Sequence, residues 1–282
     1  MEIAKNSREL CQHLAGLQGN NNVAFVPTMG NLHDGHLSLV RRGFAMAEHV
    51  VVSIFVNPLQ FSPTDDLDAY PRTLEQDLHL LAEEGVTLVF TPTVEDLYPA
   101  GLQAHTKVTV PGLTDVLCGR QRVGHFDGVT TVVCKLLNLV SADIALFGEK
   151  DLQQLLVIRK MVADLGMPVQ IEAVPTQRDA NGLALSSRNS YLTSEALDLA
   201  PALYRNLMAV NDAVQGGGRD YAGLCNSVVQ RLDTLGFITE YCEARRCSDL
   251  QPAQEDDTDV AIFCAASLEG TRLIDNIVIE HY

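Results

Sequence analysis

The sequence predicts a doubly wound α/β protein, a parallel sheet covered by helices on both faces, with a smaller α+β domain after it. Three observations predict this. Short, mostly apolar runs recur at residues 23–26, 50–56, 87–90, 143–147 and 171–174, the pattern of strands buried on both faces. Longer helical patterns separate most of them, and alternation of strand with helix builds a parallel sheet. After residue 174 the order changes to two helices and three strand candidates, so a second unit begins there.

Taken in order, Val23-Ala24-Phe25-Val26 forms a buried strand, and a helix follows from His36 to about Glu48. The β-branched run at 50–56 is the second strand. Thr73-Leu74-Glu75-Gln76 has the Thr-x-x-Gln form of a capping box and opens a helix that stops near Gly85. A strand at 87–90, a helix at 128–140, a strand at 143–147, a helix at 151–165 and a strand at 171–174 complete the first unit. In the second, one helix spans about 194–215 and breaks at Gly216-Gly217-Gly218, and another spans about 221–235. Strands are expected at 238–243, 260–266 and 272–279. The division falls near residues 175–185 and is set at 1–176 and 177–282. Glu255-Asp256-Asp257 reads as a solvated turn.

At 282 residues, 46% hydrophobic and 20% charged, the chain has ample length for a core and an ordinary globular balance. Its apolar runs fall short of the roughly 18 residues a membrane span needs. The segment Met1-Glu2-Ile3-Ala4-Lys5 lacks the features of a secretory signal, so a cytoplasmic protein is expected. Seven irregularly spaced cysteines, without a C-x-x-C pair, are expected to be reduced. A formal charge of −16 disfavours nucleic acid as a partner. Any phosphate site must therefore be a local gathering of cations and backbone N–H groups.

The strongest candidate for such a gathering is Pro27-Thr28-Met29-Gly30-Asn31-Leu32-His33-Asp34-Gly35-His36, directly after the first strand. A glycine-bearing loop lets backbone approach a phosphate, and the helix that follows offers free N–H groups and the positive end of its dipole. His33 and His36 are three apart, so both rings can reach one phosphate chain, and Gly35 leaves room for a nucleotide. Gly148-Glu149-Lys150-Asp151 also follows a strand and opens a helix; Lys150 offers a point charge and Asp151 an acceptor. Leu185-Ser186-Ser187-Arg188 adds two hydroxyls and a guanidinium suited to a polyphosphate. The amides of Gln60 and Gln154 both donate and accept, which suits an alcohol. Asp77 lies in the helix opened by Thr73.

The segment 27–36 resembles the H-x-G-H motif of the nucleotidyltransferase superfamily, shared with class I aminoacyl-tRNA synthetases. The wider chain is similar to the pantothenate synthetase family within it. The likeness rests on Phe55-Val56-Asn57-Pro58-Leu59-Gln60-Phe61, Tyr70-Pro71-Arg72-Thr73, Gly124-His125-Phe126, Phe147-Gly148-Glu149-Lys150-Asp151-Leu152-Gln153-Gln154 and Leu185-Ser186-Ser187-Arg188-Asn189, in family order and spacing. It is specific to about residue 192 and more general beyond.

The resemblance implies a Rossmann-like domain, ATP and Mg²⁺, the substrates pantoate and β-alanine, and a homodimer paired through the first domain. It implies ATP contacts from Met29, Gly30, Asn31, Leu32, His33, Asp34, Gly35, His36, Gly148, Glu149, Lys150, Asp151, Gln177, Leu185, Ser186, Ser187 and Arg188. His33, His36, Lys150 and Arg188 would serve catalysis. Asn57, Gln60, Gln154, Arg122 and His125 would face pantoate or β-alanine, and Asp77 the magnesium. Met29 and Phe61 either line the apolar side of the pantoate pocket or pack in the core. Two departures stand out: Val123 replaces a proline of the family loop, and Gln177 an apolar residue near adenine.

The expected chemistry is adenylation of pantoate with loss of pyrophosphate, then attack of β-alanine on the acyl carbon with loss of AMP. The carboxylate nucleophile is already ionised, so catalysis is positioning plus electrostatic stabilisation. The second domain is expected to act as a lid that closes on the phosphates. One alternative is a transferase that leaves the nucleotide on its product, against which Asn57-Pro58-Leu59-Gln60-Phe61 and the two glutamines speak. The other is a non-catalytic nucleotide-binding regulator, against which the joint presence of His33, His36, Lys150 and Arg188 speaks.

Overall fold

The computed structural model describes residues 1–17, 22–62 and 65–279. Along the chain run β1 (Glu2–Ala4), α1 (Ser7–Leu17), β2 (Val23–Thr28), α2 (Asp34–Phe44), β3 (His49–Ile54), α3 (Leu74–Glu83), β4 (Leu88–Phe90), α4 (Val94–Leu97), α5 (Cys118–Gln121), α6 (His125–Val140), β5 (Ile144–Gly148), α7 (Leu152–Asp164) and β6 (Gln170–Val174). The second unit comprises α8 (Ser194–Leu199), α9 (Ala202–Gln215), α10 (Tyr221–Thr234), β7 (Ile238–Arg246), β8 (Val260–Leu268) and β9 (Thr271–Val278).

Six strands form one parallel sheet in the order β1-β4-β3-β2-β5-β6. Strand order reverses between β2 and β5, the switch point where ligands of doubly wound sheets bind. The chain segments leaving these two strands are 29–33 and 149–151, so topology brings the two strongest sequence motifs together. The strands read as continuous apolar runs because alternate residues enter different layers. Ala24, Val26, Val50, Val52 and Leu146 pack under α2 and α3. Phe25, Val51, Phe90 and Phe147 pack against α1, α6 and α7.

The second unit is an antiparallel sheet, β7-β8-β9, with α9 and α10 on one face. Its other face is not solvated. Tyr241, Ala261, Phe263 and Ala265 join the same apolar cluster as Leu117 and Phe126 of the first unit. The two units therefore share a core layer.

Several expectations change. The helix expected over 194–215 is two helices, since Pro201 has no N–H to continue the α8 ladder and α9 restarts at Ala202. Thr73 makes no capping bond to its own helix. Its hydroxyl donates instead to both carboxylate oxygens of Asp77, at 3.2 Å each. The second strand ends at Ile54, so Phe55 and Val56 lie beyond it. β1, α1, α4 and α5 carry no expectation above; β1 is three residues long, too short for a periodic signal. Among the described residues, the cysteines are all free, and no helix is long and apolar enough to cross a membrane.

Candidate active site

The loop after β2 is shaped by Gly30 and held by Asp77. Gly30 has φ +79°, and a Cβ there would sit 2.9 Å from Asp77 Oδ2, so a side chain is excluded on both counts. Asp77, only 1% exposed, accepts the N–H of Asn31 at 2.9 Å and of Leu32 at 2.8 Å, one on each oxygen. With the Thr73 hydroxyl added, its acceptor sites face protein donors. Asp77, the expected magnesium contact, here ties α3 to the loop through the N–H groups of Asn31 and Leu32 and the Thr73 hydroxyl.

His33 is the N-cap of α2, and its Nδ1 accepts from Gly35 N–H at 3.1 Å. His36, at the third helical position, returns the bond: its Nδ1 accepts from the His33 N–H at 3.4 Å. The pair is a capping box built from two imidazoles. With both Nδ1 atoms accepting, the ring protons sit on Nε2, so each ring presents an N–H donor at its free edge. The ring centroids are 4.1 Å apart. A Cβ on Gly35 would lie 2.8 Å from His33 Cε1. A side chain at Gly35 would therefore collide with the His33 ring.

Burial, and then the nearby Lys150 cation, lower the His33 pKa to about 4. Burial, then His33 and Lys150, lower that of His36 to about 3. His125 is likewise lowered to about 4, by burial and then Arg122. Its Nδ1–H donates to the Gln60 carbonyl at 2.7 Å and its Nε2 accepts from Arg122 Nη1 at 3.1 Å, so both nitrogens are engaged. All three rings are neutral near pH 7. Their folded pKa values lie below the unfolded value, so their contribution is complete above about 6.5 and is lost as pH falls towards 4. The ligand-free protein is expected to lose unfolding free energy between pH 6.5 and 5, and His36→Asn to flatten that slope. Urea titrations at stepped pH check this, and an unchanged slope in His36→Asn would contradict the assignment of a buried neutral ring.

Across from this loop stand Lys150 and the 186–188 segment. Lys150 follows β5 in a single 3-10 turn, Glu149–Asp151. Ser186 caps the next 3-10 turn, accepting from the Arg188 N–H at 3.3 Å. Ser187 Oγ donates to the Asn31 carbonyl at 3.1 Å, and Asn31 Nδ2 donates back to the Ser187 carbonyl at 3.4 Å. The two phosphate motifs of the sequence are thus hydrogen-bonded to one another. Arg188 forms a fork on both oxygens of Asp66, at 3.1 and 2.8 Å, and Arg122 donates twice to Asp65 Oδ2, at 3.3 and 2.9 Å. Burial pushes both carboxyls up, but the arginine hydrogen bonds outweigh it and hold them below the usual range. No motif reasoning singled out Asp65 or Asp66, because adjacent aspartates in a loop resemble a solvated turn.

Two adjoining cavities of about 250 and 290 Å³ open here. They share Arg122, His125, Lys150, Asp151, Gln154, Ser186 and Arg188 as walls. Met29, His33, Gly35, His36, Gln60, Phe61, Gly148, Gln177, Leu185 and Ser187 line the inner one. Neither cavity is lined by Gly30, Asn31, Leu32, Asp34 or Glu149. Leu32 is packed in the core, and Asp34 is exposed on the first turn of α2. Gln177 has its side chain on the Pro175 carbonyl and its own carbonyl on the Leu185 N–H.

Asn57, expected near pantoate or β-alanine, is held within the protein. It is 1% exposed and outside both cavities. Its amide donates to Gln60 Oε1 and the Gly128 carbonyl, and its oxygen accepts from Tyr98 Oη and the Leu59 N–H. Asn57 therefore orients Gln60. Gln153 is a similar internal strut, bonded to the backbone of Leu113, Val116 and Cys118, while its neighbour Gln154 faces the cavities.

Comparison with known proteins agrees over the full length. A family model described as pantoate–β-alanine ligase matches residues 2–278. Pantothenate synthetases of Azotobacter vinelandii and Pseudomonas aeruginosa are 51% and 50% identical over 281 residues, covering 99% of both chains in each case. The crystal structure of pantothenate synthetase from Thermus thermophilus superposes with a TM-score of 0.92 at 43% identity, over 100% of each chain. That of a pantoate–β-alanine ligase from Francisella tularensis, complexed with β-γ ATP and β-alanine, gives 0.85 at 34%, over 100% and 99%. With one family model spanning nearly all of its residues and relatives at half identity end to end, this chain belongs to the pantoate–β-alanine ligase family.

Proposed function

We propose that the cavities bind ATP and pantoate side by side, form pantoyl adenylate with release of pyrophosphate, and pass the acyl group to β-alanine. The observation that carries this is the convergence on one space of four kinds of anion-stabilising group. These are the Nε2–H donors of His33 and His36, Lys150, the Ser186 and Ser187 hydroxyls, and the Arg188 fork. Gln60, Gln154, Met29 and Phe61 stand in the same inner cavity. Amides for two hydroxyls and apolar surface for a gem-dimethyl group are what pantoate requires. The Francisella tularensis relative, with β-γ ATP and β-alanine bound, supports the same pair of ligands here.

Pantoate's carboxylate attacks the α-phosphorus in line, needing no base. Neutral imidazole N–H groups and the Lys150 ammonium stabilise the charge that grows on the phosphate oxygens, in a site that needs little reorganisation. Arg188 exchanges Asp66 for the phosphates of ATP, and the forked geometry that fits a carboxylate fits a phosphate as well. Unit 177–282 is a lid in this reading. Because its sheet shares a core with the first unit, the moving part is the 186–188 segment and its neighbours. Closure excludes water from the mixed anhydride until the amine arrives.

Among the described residues no group of three His, Cys, Asp or Glu side chains could cage a metal, and Asp77 is already occupied. A magnesium ion here would therefore depend on phosphate oxygens, with one or two carboxylates at most from the protein. Mg²⁺ enters as the ATP complex, held by phosphate oxygens and water, as is usual for this cation. Two copies paired through the first domain remain the assembly the family likeness implies. The direct test of the function is product analysis with pantoate, β-alanine and Mg-ATP: AMP, pyrophosphate and pantothenate should appear in equal amounts. ADP and phosphate in their place, or nucleotide retained on the product, would exclude this reaction.

A further inference from the structure

Strand β9 belongs to the second unit, yet two of its successive residues reach the two phosphate-binding segments. Asp275, 4% exposed, accepts a bidentate fork from Arg178, with Nη1 at 2.6 Å and Nη2 at 2.8 Å. Arg178 Nη1 also donates to the Gly182 carbonyl, and the guanidinium lies 3.5 Å over the Tyr204 ring. Arg178 pairs by backbone with Ala184, closing the hairpin that delivers Leu185, Ser186, Ser187 and Arg188. Asn276, 8% exposed, donates both amide hydrogens elsewhere: to the Glu149 carbonyl at 3.0 Å and the Lys150 carbonyl at 2.9 Å.

These two carbonyls flank Lys150 Cα on either side. Fixing both fixes the two peptide planes that set the direction of the Lys150 side chain. Successive strand residues point to opposite faces, so one dipeptide can hold two separate partners. The Asn276 backbone N–H donates to Asp275 Oδ1 at 2.8 Å, which holds the Asp275 carboxylate against the strand between its two partners.

We propose that Asp275 and Asn276 are paired positioning residues that set the Lys150 turn and the 186–188 segment in mutual register across the phosphate site. The idea rests on the adenylation reading above. It names a part of the second unit, outside the specific motifs, as a determinant of the first chemical step. A displacement of about 1 Å in such a group costs up to roughly 10²-fold in rate, so the unit acts on turnover and not on pantoate binding.

The test is a pair of double-mutant cycles read by single-turnover adenylation. Asn276→Asp is isosteric, removes both donors and places a carboxylate against two carbonyls. It is expected to slow adenylation about 10- to 10²-fold with the KM for pantoate little changed. In a Lys150→Ala background the same substitution should add almost nothing, since the group it positions is gone. Asp275→Asn should likewise be non-additive with Arg188→Ala; where that variant does not fold, Arg178→Lys breaks the same fork with the charge kept. Rate losses that multiply in either cycle would overturn the paired role and leave a merely structural one. The two readings stay distinguishable, because normal adenylation in Lys150→Ala alone would remove the phosphate-site assignment before Asn276 is considered.

Discussion

Lys150→Ala should lower the adenylation rate by about 10²–10³, equivalent to roughly 2.7–4 kcal/mol, the usual loss for one preorganised donor at developing charge. His36→Ala should act similarly, for two reasons that the geometry separates. On the proposed reading its Nε2–H edge donates to the phosphates, and its Nδ1 accepts from the backbone of His33 in the reciprocal cap. His36→Asn, which retains an acceptor for that N–H, should therefore recover stability without recovering much rate. Pantoate affinity should change little in any of these, because the proposed partner of these groups is phosphate. Gln154→Ala is the converse case, raising the KM for pantoate with a smaller fall in turnover, since an amide lost from ground and transition state alike removes uniform binding. Measuring both constants for all four variants checks the division of labour. A Lys150→Ala enzyme that adenylates at the parental rate would make that lysine a surface cation.

The parallel sheet was legible in the sequence because its strands are buried on both faces and leave dense apolar runs, as at Val50-Val51-Val52. The register of helix boundaries was less so. Pro201 splits one expected helix because position outweighs periodicity there. The H-x-G-H and Lys150 motifs were legible because backbone and imidazole chemistry need those residues next to a glycine and a helix start. The internal bonds of Asp77 and Asn57 were not legible, for a shared reason. A carboxylate or an amide in a motif looks the same in sequence whether it meets ligand or backbone. Only the fold shows that Asp77 meets the N–H groups of Asn31 and Leu32, 46 and 45 residues away, and that Asn57 meets Gly128, 71 residues away. Asp66 and Asn276 were invisible for the converse reason, because their partners Arg188 and the Lys150 turn lie 122 and 126 residues distant.

Adenylation should also run by itself. Every group assigned to phosphate chemistry lines the inner cavity, and none of them depends on the amine. The carboxylate nucleophile needs no proton removed, so adenylation waits on no base. Pantoate and Mg-ATP alone should then form enzyme-bound pantoyl adenylate reversibly. The measurement is incorporation of labelled pyrophosphate into ATP with pantoate present and β-alanine absent. Exchange should be rapid, dependent on pantoate, and suppressed about 10²–10³-fold by Lys150→Ala. Exchange that appears only when β-alanine is added would contradict a separate adenylate intermediate and the site assignment built on it.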